Sequence, residues 1–152
     1  MEYGRIERSM YVDATPEVVY EVISSPTHLK EWWPDDAAYE PSPGSVGTLT
    51  WQNDTGHDAV SITVVDAEPH SLFSFRWTHP ADEAAAVGNS LFVTFELAPS
   101  GDGTSVRMTE TGFREMGWEI AVLEQQYNEH VQGWDYHLAR LGDYVTRLVA
   151  RR

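Results

Sequence analysis

From Ile6 to Ala14 apolar and polar residues alternate. Ile6, Met10 and Val12 fall on one face, and Glu7, Ser9, Tyr11 and Asp13 on the other, the period of a strand. The Ile6–Met10–Val12 face is expected to turn inward, with Arg8 its discordant member. At Thr15 the period changes. Val18, Val19, Val22 and Ile23 recur at helical spacing. Thr15 supplies an N-cap hydroxyl, and Pro16 fits the first helical position, where its missing N–H would have no partner anyway. Glu17 suits the positive end of the helix dipole. Ser25-Pro26 stops this helix, because the residue before a proline is pushed out of the helical region. A second short helix is predicted over Thr27 to Trp32, ending near Pro34.

Period-two segments then follow, separated by turn residues. Strands are predicted at about Val46–Asn53, Asp58–Ala67, Ser71–His79, Ser90–Ala98 and Thr104–Phe113. On the third of these, Phe73, Phe75, Trp77 and His79 share a face. On the fourth, Leu91, Val93, Phe95 and Leu97 do. On the fifth, Val106, Met108 and Glu110 do. From Glu119 to Val149 the pattern is helical again. One stripe collects Ile120, Leu123, Tyr127, His130, Trp134, Leu138, Leu141, Val145 and Leu148. Gln125, Glu129, Gln132, Arg140, Asp143 and Arg147 lie opposite. Such a stripe needs an apolar partner along roughly 45 Å at 1.5 Å per residue. A curved antiparallel sheet is the one element large enough to supply it. The predicted class is therefore α+β: a helix-grip fold, with a curved antiparallel sheet wrapped around one long C-terminal helix and two short helices after the first strand. The whole chain, 1–152, reads as one domain.

Charge and composition narrow the function. The formal net charge is −14 and Lys30 is the single lysine. Nucleic acid and anionic membranes are poor partners for such a surface. Cysteine is absent, which excludes disulfides, thiolate metal sites and cysteine nucleophiles. The histidines show no metal-ligand spacing: His130 and His137 stand two turns apart, and His28, His57, His70 and His79 lie on separate loops or strand ends. No metal and no cofactor is expected. With no apolar run long enough to cross a membrane and no leader, the chain is expected to be soluble and cytoplasmic. Six tryptophans, seven tyrosines and five phenylalanines are many for this length, and such residues fill a core or line a pocket.

Several short motifs occur in a recognisable order: Asp13-Ala14-Thr15-Pro16-Glu17-Val18-Val19-Tyr20, then Ser25-Pro26 and Trp32-Trp33-Pro34. Glu68-Pro69 follows, with Leu72-Phe73-Ser74-Phe75-Arg76-Trp77. Last come Gly103-Thr104, Glu110-Thr111-Gly112-Phe113, and Gly133-Trp134 with Leu138 and Leu141. In this order the chain resembles the START-related (SRPBCC) superfamily, in its branch of polyketide-cyclase-like proteins and activators of heat-shock ATPase homologues. The resemblance covers essentially the whole chain. It implies a cavity between sheet and long helix, with the segment after the first helix bordering its mouth. It also implies three functions. The first is binding of a small hydrophobic or aromatic molecule. The second is cyclase, aromatase or dehydratase action on a polyketide-like substrate. The third is stimulation of a chaperone ATPase as an interaction protein. A homodimer is compatible with any of them.

The candidate ligand-binding residues are Trp33, Phe73, Phe75, Trp77, Phe95, Met108, Glu110, Tyr127, His130 and Trp134. Glu110 and His130 are also the catalytic candidates. Glu110 continues an apolar strand face, where a carboxylate serves as acid, base or ligand anchor; its plainer reading is a solvated strand end or an arginine partner. His130 lies on the inward stripe, placed to hydrogen-bond a ligand or move a proton; its plainer reading is a core histidine stacked on Trp134. Tyr127 offers a hydroxyl as an orienting donor, or ordinary packing. Trp32 and Trp33 border the cavity mouth, or clasp the short helix to the sheet. Gly133 sits mid-helix at a cost of about 1 kcal/mol relative to alanine; it gives room to a ligand, or lets the helix bend along a curved sheet. No nucleophile elbow, P-loop or dinucleotide fingerprint occurs.

Overall fold

A computed structural model describes residues 2–151. The chain runs β1 (Arg5–Val12), α1 (Pro16–Ser24), α2 (Pro26–Leu29), β2 (Asp36–Ala38), β3 (Val46–Asn53) and β4 (Gly56–Glu68). It continues with β5 (Leu72–Trp77), β6 (Leu91–Ser100), β7 (Gly103–Thr111), a 3-10 turn (Arg114–Met116) and α3 (Ile120–Ala150). The seven strands form one antiparallel sheet in the order β1-β7-β6-β5-β4-β3-β2. The sheet is curved and α3 lies along it, which is the α+β helix-grip architecture expected from the sequence.

Local chemistry explains the start of the fold. The Thr15 hydroxyl accepts from the Val18 N–H, and Pro16 opens α1. Val19, Val22 and Ile23 are buried on one face of α1. The helix stops at Ser25, extended before Pro26. α2 is shorter than the predicted Thr27–Trp32 helix: after Leu29 the chain continues as single turns, with Trp33 N–H donating to the Leu29 carbonyl. In β1, Ile6 and Val12 are buried. Arg8 is tolerated on their face because its guanidinium reaches Asp135 of α3, with Nε 2.7 Å from Oδ1.

Two elements depart from the sequence reading. β2 gave no signal, since three residues are too few to show alternation. It pairs with β3 where Gly47 lacks a side chain: a Cβ there would collide with the Ala38 carbonyl and the Tyr39 Cβ. β5 ends at Trp77, two residues before the predicted His79. Thr78 adopts a left-handed conformation, with φ 69°, and turns the chain out of the sheet. A β-branched residue rarely adopts that conformation, and holding one there costs of order 1–3 kcal/mol.

The core lies between the sheet and the helices. Phe73, Phe75, Phe95, Val93 and Met108 form its sheet side, and Trp32, Leu29, Ile23 and Val22 its cover. Leu123, Trp134, Leu138, Leu141 and Val145 of α3 complete it. Ile120, expected on the same stripe, is exposed, because it lies at the first turn of α3 beyond the packed region. Among the described residues no helix is long and apolar enough to cross a membrane.

Candidate functional site

α3 bonds to the β1–β7 side of the sheet. The Tyr127 hydroxyl donates to the Arg5 carbonyl, Arg8 pairs with Asp135, and His130 and Trp134 reach Glu110 of β7. The flank of α3 toward β3, β4 and β5 is left open. A cleft lies there, made of two concavities of about 240 and 480 Å³. Both are lined by Trp51, Trp77, Glu129 and His130. The first adds Trp33, Gly133, Trp134 and His137. The second adds Asp58, Val60, Thr78 and Gln126. Small-ligand pockets are roughly 300–1,000 Å³, so the cleft has the size of one.

Four tryptophans build its walls. Trp33 packs at 4.9 Å from Trp77, 5.6 Å from Trp51 and 4.9 Å from Trp134, between ring centres, with interplanar angles of 66°, 73° and 35°. Each such pair adds about 0.5–1.5 kcal/mol beyond the area it buries, so the walls hold their shape without a ligand. Trp32 is stacked on Trp33 but turned inward, its indole N–H donating to the Val22 carbonyl at 3.1 Å. One member of the pair thus locks the turn after α1 into the core and the other lines the cleft.

Behind the walls lies Glu110. Its side chain is fully buried, and three nitrogens converge on it. Trp77 Nε1 donates to Oε2 at 2.7 Å and Trp134 Nε1 to Oε1 at 2.8 Å. His130 Nδ1 lies 2.8 Å from the same Oε1. An indole N–H can only donate, so both oxygens act as acceptors. Burying a carboxylate costs several kcal/mol unless it is hydrogen-bonded, and this one is satisfied on both oxygens. Neither plainer expectation for Glu110 holds: it is not a solvated strand end, and no arginine is its partner. The partners come from β5 and α3, elements 33 and 20 to 24 residues away in sequence, which no local pattern reveals.

His130 packs between Trp77, at 5.4 Å, and Phe113, at 5.3 Å, rather than on Trp134. The carboxylate holds its Nδ1, which leaves Nε2 on the opposite edge of the ring, toward the cleft that His130 lines. His137 lines the same cleft two turns along, with Nδ1 3.3 Å from the Trp32 carbonyl. Burial lowers its pKa below the ordinary imidazole value, the largest of several causes; the hydrogen bond to Trp32 and the charge of Asp35 oppose it, and Arg140 reinforces it. Among the described residues no three carboxylates or histidines are grouped as metal ligands.

The sequence-predicted residues divide into two sets. Trp33, Trp77, His130 and Trp134 line the cleft, and Glu110 holds three of them from behind. Phe73, Phe75, Phe95 and Met108 do not line it. They are buried in the core, covered by Trp32, Trp33, Tyr20 and Tyr39. Tyr127 also stays out. Its ring lies between Tyr3 and Phe113, and its hydroxyl donates to the Arg5 carbonyl. Sequence reasoning missed Trp51 and Glu129. Trp51 shares the parity of buried Leu49 on β3, a signal that was available. Glu129 fell on the side of α3 assigned to solvent. The helix is displaced toward β1, so that side overlooks the cleft. Gly133 lines the cleft as well, and a Cβ built there meets nothing within 4 Å.

Residues 13–146 match the model of the family described as activator of Hsp90 ATPase homolog 1-like protein, and the chain belongs to that family. No curated protein matches the sequence. Solved structures share its fold at low identity. Protein MLL2253 from Mesorhizobium loti is 22% identical, with a TM-score of 0.75 over 94% of this chain and 97% of its own. The Aha1 dimer from Colwellia psychrerythraea, determined in solution, is 19% identical, with a TM-score of 0.70 over 93% of this chain and 95% of its own. CalU16 from Micromonospora echinospora is 19% identical, with a TM-score of 0.68 over 99% of this chain and 83% of its own.

Proposed function

We propose that this chain binds a small hydrophobic or aromatic molecule in the cleft between β3–β5 and the N-terminal half of α3. One observation carries the reading. Four of the six tryptophans converge on one opening, and a fully buried carboxylate behind them fixes two of those indoles and the one imidazole that faces it. A packed core needs neither the carboxylate nor the opening. A binding site uses both: apolar walls to desolvate a ligand, and a few fixed polar atoms to orient it. The test is titration with N-phenyl-1-naphthylamine, a neutral aromatic probe, followed by intrinsic tryptophan fluorescence. Binding quenches the cleft tryptophans, and Trp51→Ala, which removes a half-buried wall, weakens the quenching. A probe that leaves the emission unchanged at every concentration overturns the proposal.

The Glu110–His130 pair favours a second reading, an enzyme of the cyclase, aromatase or dehydratase type. A carboxylate on Nδ1 sets the tautomer and supports the imidazolium that forms when Nε2 takes a proton, the arrangement of a general base. His130 would then remove a proton from an acidic carbon or hydroxyl of a polyketide-like substrate. Turnover by the native chain, lost in His130→Ala with folding and probe binding retained, supports this reading. Turnover that survives the substitution removes it.

A further inference from the structure

We infer that the cleft selects a cation: an amine or quaternary ammonium group carried on an apolar or aromatic body. The inference rests on the binding reading above and names the chemistry of its ligand. It starts from the walls. Trp33, Trp51 and Trp77 meet at angles between 44° and 73° with ring centres 4.9 to 6.0 Å apart, so they pack against one another, and half-buried Trp51 is the ring most open to the cleft. Each indole face is the negative side of a quadrupole and attracts a cation placed within about 6 Å of it. A cation at the opening meets the Trp51 ring and the rim beside it.

The carboxylate behind the walls strengthens this preference. Trp77 and Trp134 both donate their indole N–H to Glu110. A charge-assisted bond of this kind polarises the donor, pushing electron density into the ring and making its face more negative.

The rim carries the same sign. Glu129 of α3 lines both concavities, and Asp58 of β4, opposite Trp51 in the β3–β4 register, lines the larger one. Both are exposed, and their neighbours Gln125 and Asn53 hold them by hydrogen bonds without neutralising them. No lysine or arginine lines either concavity. Burial disfavours the protonated form of His137, so it adds no fixed positive charge that would repel a cation. An anion would meet Glu129, Asp58 and the Trp51 ring, all unfavourable. The whole chain, at −14, draws cations toward the opening.

The experiment compares benzyltrimethylammonium with neopentylbenzene, its neutral carbon isostere, and with phenylmethanesulfonate, an anion of similar size. All three are titrated against the full chain, using tryptophan fluorescence and the indole N–H resonances. The ammonium is expected to bind about tenfold more tightly than the isostere, the size of one good cation–π contact with a nearby carboxylate. That advantage shrinks in high salt and in Glu129→Gln, an exposed substitution that keeps the hydrogen-bonding reach of the side chain. Equal affinity for ammonium and isostere overturns the inference and leaves the binding reading standing. Preference for the sulfonate does the same. If no probe binds, the binding reading fails and this inference fails with it.

Discussion

From Leu138 to Val145, α3 is an amphipathic helix: Leu138, Leu141 and Val145 point into the core, Ala139 and Asp143 between them are exposed, and Tyr144 packs beside His28. From Tyr127 to Trp134 the same helix places an imidazole where a leucine would pack, puts a glycine in mid-helix, and reaches a buried carboxylate on β7. Nearby, Thr78 holds a backbone conformation unfavourable to its β-branched side chain. Apart from Gly142, which faces Met10 of β1, the Leu138–Val145 stretch follows the local rules for helix stability, and the Tyr127–Trp134 stretch departs from several within two turns. Such departures concentrate where a protein does something besides fold. On the proposed binding reading, the contrast gives stability to the Leu138–Val145 half and recognition to the Tyr127–Trp134 half, and each has its own substitution.

The largest effect is expected at Leu141, which is 0% exposed. Leu141→Ala removes buried methyl groups and leaves a hole in a packed interior, and such changes cost about 2–5 kcal/mol. Chemical denaturation will show the loss. Probe affinity, measured per folded molecule, stays within twofold of the parent. A large drop in affinity from this substitution would mean that the two halves of the helix are one mechanical unit and that the contrast is false.

Gly133 gives a smaller effect of opposite sign. The site is open, so Gly133→Ala introduces no clash, and it removes the backbone freedom that makes glycine a poor helix residue. A gain in stability of up to about 1 kcal/mol is expected. The added methyl projects into the cleft, so probe affinity falls by several-fold. Stability and affinity thus move in opposite directions. Unchanged affinity in a stabilised variant would show that the ligand does not lie along this turn, and Gly133 would be a packing detail of the curved sheet after all.

The legibility of the sequence divides along the same line. The strands other than β2, α1 and the C-terminal half of α3 were readable because periodicity and capping are local and each of these elements carried its own signal. Trp33, Trp77, His130 and Trp134 were readable as inward residues by the same logic. What parity cannot supply is depth. Phe75 and Trp77 share a face of β5, yet one is sealed under Trp33 and the other borders an opening. The difference depends on where α3 ends up across the sheet, which is set by contacts such as Arg8–Asp135 and Tyr127 with the Arg5 carbonyl, more than 120 residues apart in sequence. The same displacement exposes the Glu129 side of α3 to the cleft instead of to bulk water. Glu110 is the clearest case. Its position on an apolar face was visible, but the three donors that make that position tolerable belong to two other elements.

His137 lies between the two halves and offers the smallest and most selective test. Its ring is partly buried in the cleft wall, and its pKa lies below that of an unfolded histidine, about 6.5. Between the lowered folded value and the unfolded one, the unfolded chain binds more protons than the folded chain, so stability rises with pH across that window. The contribution is therefore fully present above about pH 6.5 and is lost as the pH falls through the folded value. His137→Gln keeps an N–H for the Trp32 carbonyl but cannot be protonated. Carboxylates and the other histidines titrate in both chains, so the informative quantity is the difference between the two stability curves. That difference is expected to be flat from pH 8 to 7 and to slope below it, in the direction that favours the variant in acid. A difference curve without slope between pH 7 and 5 would mean that water reaches His137 as freely in the folded chain as in the unfolded one. In that case the recognition half of the helix would be open further along α3 than the cleft described here, and its boundary with the packed half would shift toward Leu138.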